Sequence, residues 1–206
     1  MKQLNNIYQY LDLTILQSNY NPQGETMQPN KTTTKKRSPS TFQLATAVIL
    51  AALVAVATLA FVFFIPATSG YFNLGDVIIY AAALLFGPFV GLIAGAGASI
   101  ADILIAPVYA PATLIIKATE GFLVGYLIKK LNKKIKSLTL CASIAVLIGG
   151  SEMVAGYFIY DTLIAGYSFA LVAVPFNVVQ MLVGLIIAVP VMHAVLRVFP
   201  QLKSYL

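Results

Sequence analysis

Long apolar runs dominate the chain after residue 40 and predict membrane-spanning helices. A helix needs about 20 mostly apolar residues to cross the hydrocarbon core of a bilayer. The runs cover residues 41–65, 76–105, 112–128, 138–159 and 171–197. The second run is too long for one span and holds the pair Gly87-Pro88 in its middle. Because glycine and proline interrupt helices, this pair is a candidate point of chain reversal.

The positions of the basic residues favour two helices in the second run. A lysine cluster follows the third run, at Lys129, Lys130, Lys133, Lys134 and Lys136. Cytoplasmic segments next to spans are enriched in Lys and Arg. If the basic N-terminal tail is cytoplasmic, a reversal at Gly87-Pro88 returns this cluster to the cytoplasm as well. All of the 13 Lys and Arg residues except Lys117 then belong to the cytoplasmic side. The pattern predicts an all-α integral membrane protein with six transmembrane helices and both termini cytoplasmic.

Residues 1–40 differ from the rest of the chain. They are rich in Asn, Gln, Thr and Pro and end in a basic run, which predicts a polar, flexible cytoplasmic tail with a short helix around Tyr8–Leu16. The apolar run that follows is longer than the 7–15 residues or so of a signal-peptide core. We therefore expect a retained first span, and a six-helix membrane domain over residues 41–200.

Composition agrees with a membrane protein and excludes a soluble enzyme. Hydrophobic residues make up 59% and charged residues 10%, against about 45–50% and about 25% in soluble domains. The net charge of +6 is accounted for by the cytoplasmic clusters, so nucleic acid is not an expected partner. The single cysteine, Cys141, excludes a disulfide framework. The sequence has no P-loop, H-E-x-x-H or G-x-S-x-G motif, and no cofactor, metal or catalytic residue is expected in this chain.

A few polar residues lie inside the predicted spans. They are Asp102, Lys117, Glu120, Glu152, Asn177 and Gln180. At a rise of about 1.5 Å per residue, those of the last three helices fall in one layer, ~8–13 Å below the outer helix ends. Lys117 and Glu120 are three residues apart and can pair on one helix face. Charges at this depth are costly and usually face a cavity or a partner. A ligand pocket open to the outside, a buried packing network and an ion relay are the three interpretations.

Aromatic residues surround the predicted outer mouth. They are Tyr71, Phe72, Tyr109, Tyr157, Tyr160 and Tyr167. They fit either an interfacial aromatic belt or the walls of a site for a flat ring. Asn73 and Asp76 stand where the second helix begins, and a carboxylate there favours helix initiation. Lys117 suggests a ligand with an anionic or carbonyl group.

Two stripes of small residues recur at a spacing of four. The first, Ala47, Ala51 and Ala55, fits a partner-docking patch or packing within the chain. The second, Gly87, Gly91, Gly95 and Ser99, is interpreted as internal packing.

Several segments resemble the S components of energy-coupling factor (ECF) transporters, in particular the riboflavin-type group. The segments are Gly70–Asp76, Ala83–Gly91, Ala101-Asp102, Tyr109–Lys117 and Glu120–Phe122. The resemblance covers about residues 42–197. It implies a subunit that captures a vitamin or related micronutrient at the outer face, with the loop at about 66–75 as a lid. It also implies that Ala47, Ala51 and Ala55 dock on a transmembrane T component and that two cytoplasmic ATPases use the ATP.

These patterns and the resemblance together predict a set of candidate substrate-binding residues. The set is Tyr71, Asn73, Asp76, Asp102, Lys117, Glu120, Glu152, Tyr157, Asn177 and Gln180. The residues from Tyr71 to Glu120 in this set lie in segments that carry the resemblance. Glu152, Asn177 and Gln180 follow from their depth in the helices alone. Two other functions are open at this point: a membrane scaffold or assembly protein, and a standalone ion-coupled carrier.

Overall fold

The computed structural model describes residues 40–64 and 71–205, and this part of the chain is almost entirely helical. Its α-helices are α1 (Thr41–Ala60), α2 (Gly75–Phe86), α3 (Pro88–Ile105), α4 (Ala110–Leu131), α5 (Leu138–Ala165) and α6 (Tyr167–Val198). A hairpin joins α1 to α2, in which β1 (Phe63–Phe64) pairs antiparallel with β2 (Tyr71–Phe72). A short 3-10 helix, Pro200–Tyr205, follows α6.

Five of these helices, all but α2, are long and apolar enough to cross a membrane. The all-α membrane fold is thus supported, with five candidate spans within the described residues. The helix α2 has 12 residues, so the sixth span and the cytoplasmic location of both termini remain predictions. The flexible tail and its short helix fall on residues 1–39, outside the described part of the chain. Residues 66–70 of the expected lid lie outside it as well.

The predicted break in the second apolar run is confirmed. The helix α2 ends at Phe86, and α3 begins at Pro88. Gly87 between them has φ 87°, a conformation that residues with a Cβ adopt at a cost. Proline suits the first position of a helix because its missing N–H has no partner to lose there.

Two predicted boundaries are wrong. The apolar runs 138–159 and 171–197 leave residues 160–170 for an outer loop, but no such loop is present, because α5 continues to Ala165 and α6 begins at Tyr167. Only Gly166, with φ 92°, separates the two helices. The first helix ends at Ala60, before the predicted residue 65, where the chain enters the hairpin. At its other end, the helix is capped by Ser40, whose side chain accepts a hydrogen bond from the Gln43 N–H.

The glycine stripe brings two neighbouring helices together. A Cβ added at Gly95 would overlap the carbonyl oxygen of Lys117, and one added at Gly91 would overlap that of Gly121. The backbones of α3 and α4 are therefore in direct contact, as expected for internal packing.

The alanine stripe on α1 is also used inside the chain. Ala47, Ala51 and Ala55 are buried, and a Cβ added at Gly97 of α3 would overlap the Ala51 backbone. Of the two interpretations of this stripe, the structure favours packing within the chain. A partner that docked directly on these alanines would have to displace α3.

Candidate functional site

A cavity of about 60 Å³ lies at the hairpin end of the bundle. Residues from β2, α3, α4, α5 and α6, with Asn73 and Tyr109 from the connections between elements, form its wall. They are Tyr71, Asn73, Asp102, Tyr109, Thr113, Tyr157, Asp161, Phe169, Ala173, Asn177 and Gln180. The lysine cluster between α4 and α5 lies at the other end of α4. The cavity therefore opens on the side that the charge pattern predicts to be external.

Asp102 forms the centre of a hydrogen-bonded group on one side of the cavity. The hydroxyl of Tyr71 donates to Asp102 Oδ1, and the hydroxyl of Thr113 donates to Asp102 Oδ2 at 2.5 Å. The Tyr157 hydroxyl lies 2.9 Å from Thr113 Oγ1. Burial, followed by the neighbouring Asp102 carboxylate, raises the pKa of the Tyr71 phenol, so this phenol keeps its proton and acts as a donor. The group links the hairpin to α3, α4 and α5.

Asp161 on α5 holds a second hydrogen-bonded group. The Tyr109 hydroxyl donates to Asp161 Oδ1 at 2.9 Å. Burial, followed by the Asp161 carboxylate, raises the pKa of the Tyr109 phenol. The Tyr109 ring packs edge-on against that of Tyr160, with centroids 5.6 Å apart, and the Tyr160 hydroxyl donates to the Val108 carbonyl. These contacts fix the short connection between α3 and α4 against α5.

A buried ionic network lies directly behind the cavity wall. Lys117 Nζ is 2.5 Å from Asp76 Oδ1 and 3.0 Å from Glu120 Oε2. The Tyr80 hydroxyl donates to Glu120 Oε1 at 2.6 Å. All four side chains are at most 2% exposed. Lys117 does pair with Glu120, as its spacing suggested, but Asp76 is an additional partner 41 positions away.

Gln180 connects this network to the cavity. Its Nε2 donates to Asp76 Oδ2 at 2.9 Å, and its Oε1 accepts from the Asn73 N–H at 3.1 Å. Asn73 Oδ1 in turn accepts from the Gly75 N–H at 2.8 Å. The start of α2 is therefore held against α6 through a single amide side chain, and Asp76 serves as an ion-pair partner as well as a first-turn carboxylate.

The structure divides the predicted site residues into two groups. Those on the cavity wall are Tyr71, Asn73, Asp102, Tyr157, Asn177 and Gln180. Asp76, Lys117 and Glu120 lie behind the wall, and the Lys117 ammonium is 5.7 Å from the centroid of the Tyr157 ring. Glu152 is not on the wall; its Oε2 is buried without a hydrogen-bond partner in the described part of the chain.

Thr113, Asp161, Phe169 and Ala173 line the cavity, although the sequence does not single them out as site residues. Asp161 falls between the apolar runs 138–159 and 171–197, where no depth within a predicted helix can be calculated. Tyr109 belongs to the predicted outer aromatic group only. The sequence gives one signal for Asp161. It is a carboxylate that stands beside Tyr160 at the end of an apolar run, and such a group needs a polar partner.

Comparison with known proteins identifies the family. The model of the family described as ECF-type riboflavin transporter, S component, matches residues 38–197. A protein of Pyrococcus woesei, described as an uncharacterized protein in the gap 3′ region, is 38% identical over 124 residues, which cover 60% of this chain and 80% of that protein. The chain therefore belongs to the family of riboflavin-type ECF transporter S components, which are substrate-binding subunits of membrane transporters and not enzymes.

Proposed function

We propose that this chain captures a vitamin-like small molecule in the cavity at the outer membrane face and delivers it for ATP-driven uptake. The proposed partners are a transmembrane T component and two cytoplasmic ATPases, which supply the energy because this chain carries no P-loop. The observation that supports the proposal is the cavity itself. It combines aromatic walls with a few converging polar groups, as small-molecule sites do. It also lies at the end of the helices away from the lysine cluster.

The proposed topology has six spans, with α2 as a short one. At about 1.5 Å per residue, the 12 residues of α2 extend over ~18 Å, less than the ~30 Å hydrocarbon core. The hairpin before α2 would cover the missing depth on the outer side. This arrangement keeps Lys129 and Lys130, in the last turn of α4, on the cytoplasmic side.

The cavity must enlarge to accept a vitamin. Its volume of about 60 Å³ is well below the 300–1,000 Å³ or so of sites for such ligands. The hairpin is the element that can open it, because Tyr71 and Asn73 reach the wall from outside the helices. Their hydrogen bonds to Asp102 and Gln180 would then be broken on opening and re-formed on closure. In this proposal, Tyr71 and Asn73 are the residues through which the lid expected at about 66–75 closes the cavity.

Ligand binding is tested by thermal unfolding of the detergent-purified chain with a panel of vitamins and precursors. A ligand at 100 times its Kd stabilises the native state by about 2.7 kcal/mol. For a compound that shifts the melt, Thr113→Val and Asn177→Leu should reduce the shift, since both residues line the cavity. Thr119→Val is the matched control, because Thr119 lies on the same helix but off the wall. Equal shifts in all three variants would place binding elsewhere.

The coupling to partners requires a separate experiment. The chain should co-purify with a T component and two ATPases when they are expressed together, and uptake into proteoliposomes should depend on internal ATP. Uptake by the chain alone, driven by an ion gradient, would contradict the proposal and favour a standalone carrier. Binding without any partner or uptake would also contradict it.

A further inference from the structure

The cavity wall is acidic. It carries two carboxylates, Asp102 and Asp161, and no lysine, arginine or histidine among the described residues. Both carboxylates are almost completely buried, at 2% and 3% exposure. Their hydrogen bonds come from the hydroxyls of Tyr71, Thr113 and Tyr109. These donors are neutral, so they orient the carboxylates without cancelling their charge.

The one buried lysine of the described residues is already paired with carboxylates behind the wall. Lys117 is 2% exposed, and its ammonium is already 2.5 Å from Asp76 and 3.0 Å from Glu120. That group alone carries two formal negative charges against one positive charge. Lys117 is therefore committed to carboxylates behind the wall, and it is not available to an anionic or carbonyl group of a ligand.

The remaining wall residues suit a positively charged ring or amine. Tyr71, Tyr109, Tyr157 and Phe169 contribute aromatic side chains to the wall, and aromatic rings attract organic cations through the ring quadrupole. Asn177 adds an amide on α6. Buried carboxylates are stable when they are hydrogen-bonded and paired with a cation. The wall supplies the hydrogen bonds, and a cationic ligand would supply the opposite charge.

We infer that the ligand of this cavity is a small organic cation, either a protonated amine or a cationic nitrogen heterocycle, held between Asp102 and Asp161 against the tyrosine rings. This inference rests on the proposed function, because it names the chemical class taken up by the same site. It replaces the expectation from Lys117 of an anionic or carbonyl group. It also separates the ligand of this chain from a neutral flavin.

The test is a series of probes that differ in charge on a common framework. Nicotinate, nicotinamide and 1-methylnicotinamide carry negative, zero and positive charge on one ring system. Benzyl alcohol and benzylamine form a second, neutral and cationic, pair, and riboflavin is the larger neutral probe. Melting of the full-length chain in detergent is measured at constant ionic strength, with the nicotinate and benzyl probes at equal millimolar concentration and riboflavin at the highest concentration that its solubility allows. We expect 1-methylnicotinamide and benzylamine to raise the melting temperature and the neutral and anionic probes to have little effect.

Charge-neutralising variants locate the effect. Asp102→Asn and Asp161→Asn should each weaken the binding of the cationic probes by about tenfold or more, because each removes one partner of a buried charge pair. Glu152→Gln is the matched control: it removes a carboxylate of the same membrane layer that is not on the wall, and it should leave the affinity nearly unchanged. If an aspartate variant fails to fold, the probe series on the unmodified chain decides alone.

Each other outcome overturns the inference in a recognisable way. Stabilisation by riboflavin, nicotinamide or nicotinate, but not by the cations, would exclude a cationic ligand and leave substrate capture intact. A shift with sodium chloride as large as that with the organic cations, at the same ionic strength, would identify an inorganic ion site. No shift with any probe would count against the cationic class, and together with a negative vitamin panel it would count against capture itself.

Discussion

The Lys117 network allows the most direct test of the structure. Replacing Lys117 with Met removes the cation and keeps a side chain of similar length and volume. Asp76 and Glu120 then remain as two carboxylates that are at most 1% exposed, with no positive charge beside them. We expect this variant to be strongly destabilised, because an unpaired buried charge is much more costly than an exposed one.

The expected magnitude follows from the two ion pairs that the substitution removes. Breaking a buried ion pair by removing one partner costs about 3–5 kcal/mol, and Lys117 serves two partners at 2.5 Å and 3.0 Å. The loss of stability is limited because Gln180 and Tyr80 still donate hydrogen bonds to the two carboxylates. A decrease of about 3–5 kcal/mol in the free energy of unfolding is therefore expected.

The assay is equilibrium unfolding of the purified chain in detergent, with rescue as the decisive comparison. Adding Asp76→Asn and Glu120→Gln to Lys117→Met removes the unpaired charges and should recover most of the lost stability. Lys133→Met is the matched control, because Lys133 is exposed just after α4, and it should change stability by less than about 0.5 kcal/mol. A Lys117→Met loss similar to that control, or a triple variant no more stable than the single one, would refute the network.

Three further predictions concern the lid and the helix contacts. Tyr71→Phe removes the hydroxyl that donates to Asp102. Because a hydrogen bond to a charged group is worth about 1.5–3 kcal/mol, ligand release measured by rapid dilution should be at least about tenfold faster. An unchanged release rate would exclude a role of this hydrogen bond in holding the hairpin closed. Gly87→Ala should destabilise the chain by about 1–3 kcal/mol, because Gly87 has φ 87° and a residue with a Cβ is strained in that conformation. An unchanged unfolding midpoint would argue against this conformation between α2 and α3. Gly95→Ala should cost about 1–3 kcal/mol, since the added methyl forces α3 from the Lys117 backbone, and a neutral effect in the unfolding assay would contradict the close approach.

The helices were largely predictable because two independent signals agree on them. Apolar length located the spans, and the distribution of lysines required a reversal at Gly87-Pro88, where α2 ends and α3 begins. The end of α5 was not predictable in the same way. Asp161 and its tyrosine neighbour have the composition of a loop, and they stay helical because Tyr109 and Val108 provide partners. Those partners lie 52 positions away, and no local pattern contains them.

The candidate site shows the same division between local and long-range information. Depth along each helix groups Lys117, Glu120 and Gln180 in one layer, and in the structure contacts with Lys117 and Asp76 link them. Depth does not determine how a helix is rotated, however, and rotation decides which side chains line the cavity. It places Asn177 on the wall and Glu120 behind it. The ion pair between Lys117 and Asp76 depends on the position of α2 relative to α4. The pattern along a single helix does not determine that position.

The short length of α2 accounts for the location of the cavity. Lys117 is in the second turn of α4, which begins at Ala110, so its backbone lies ~10 Å below the start of that helix. Asp76 is in the first turn of α2 and reaches Lys117 directly, so α2 must begin at a similar depth. The hairpin side chains can then descend between the longer helices, which is why Tyr71 reaches Asp102 and the backbone of Asn73 reaches Gln180. A longer helix in the place of α2 would fill this space, and the cavity therefore exists because α2 starts late.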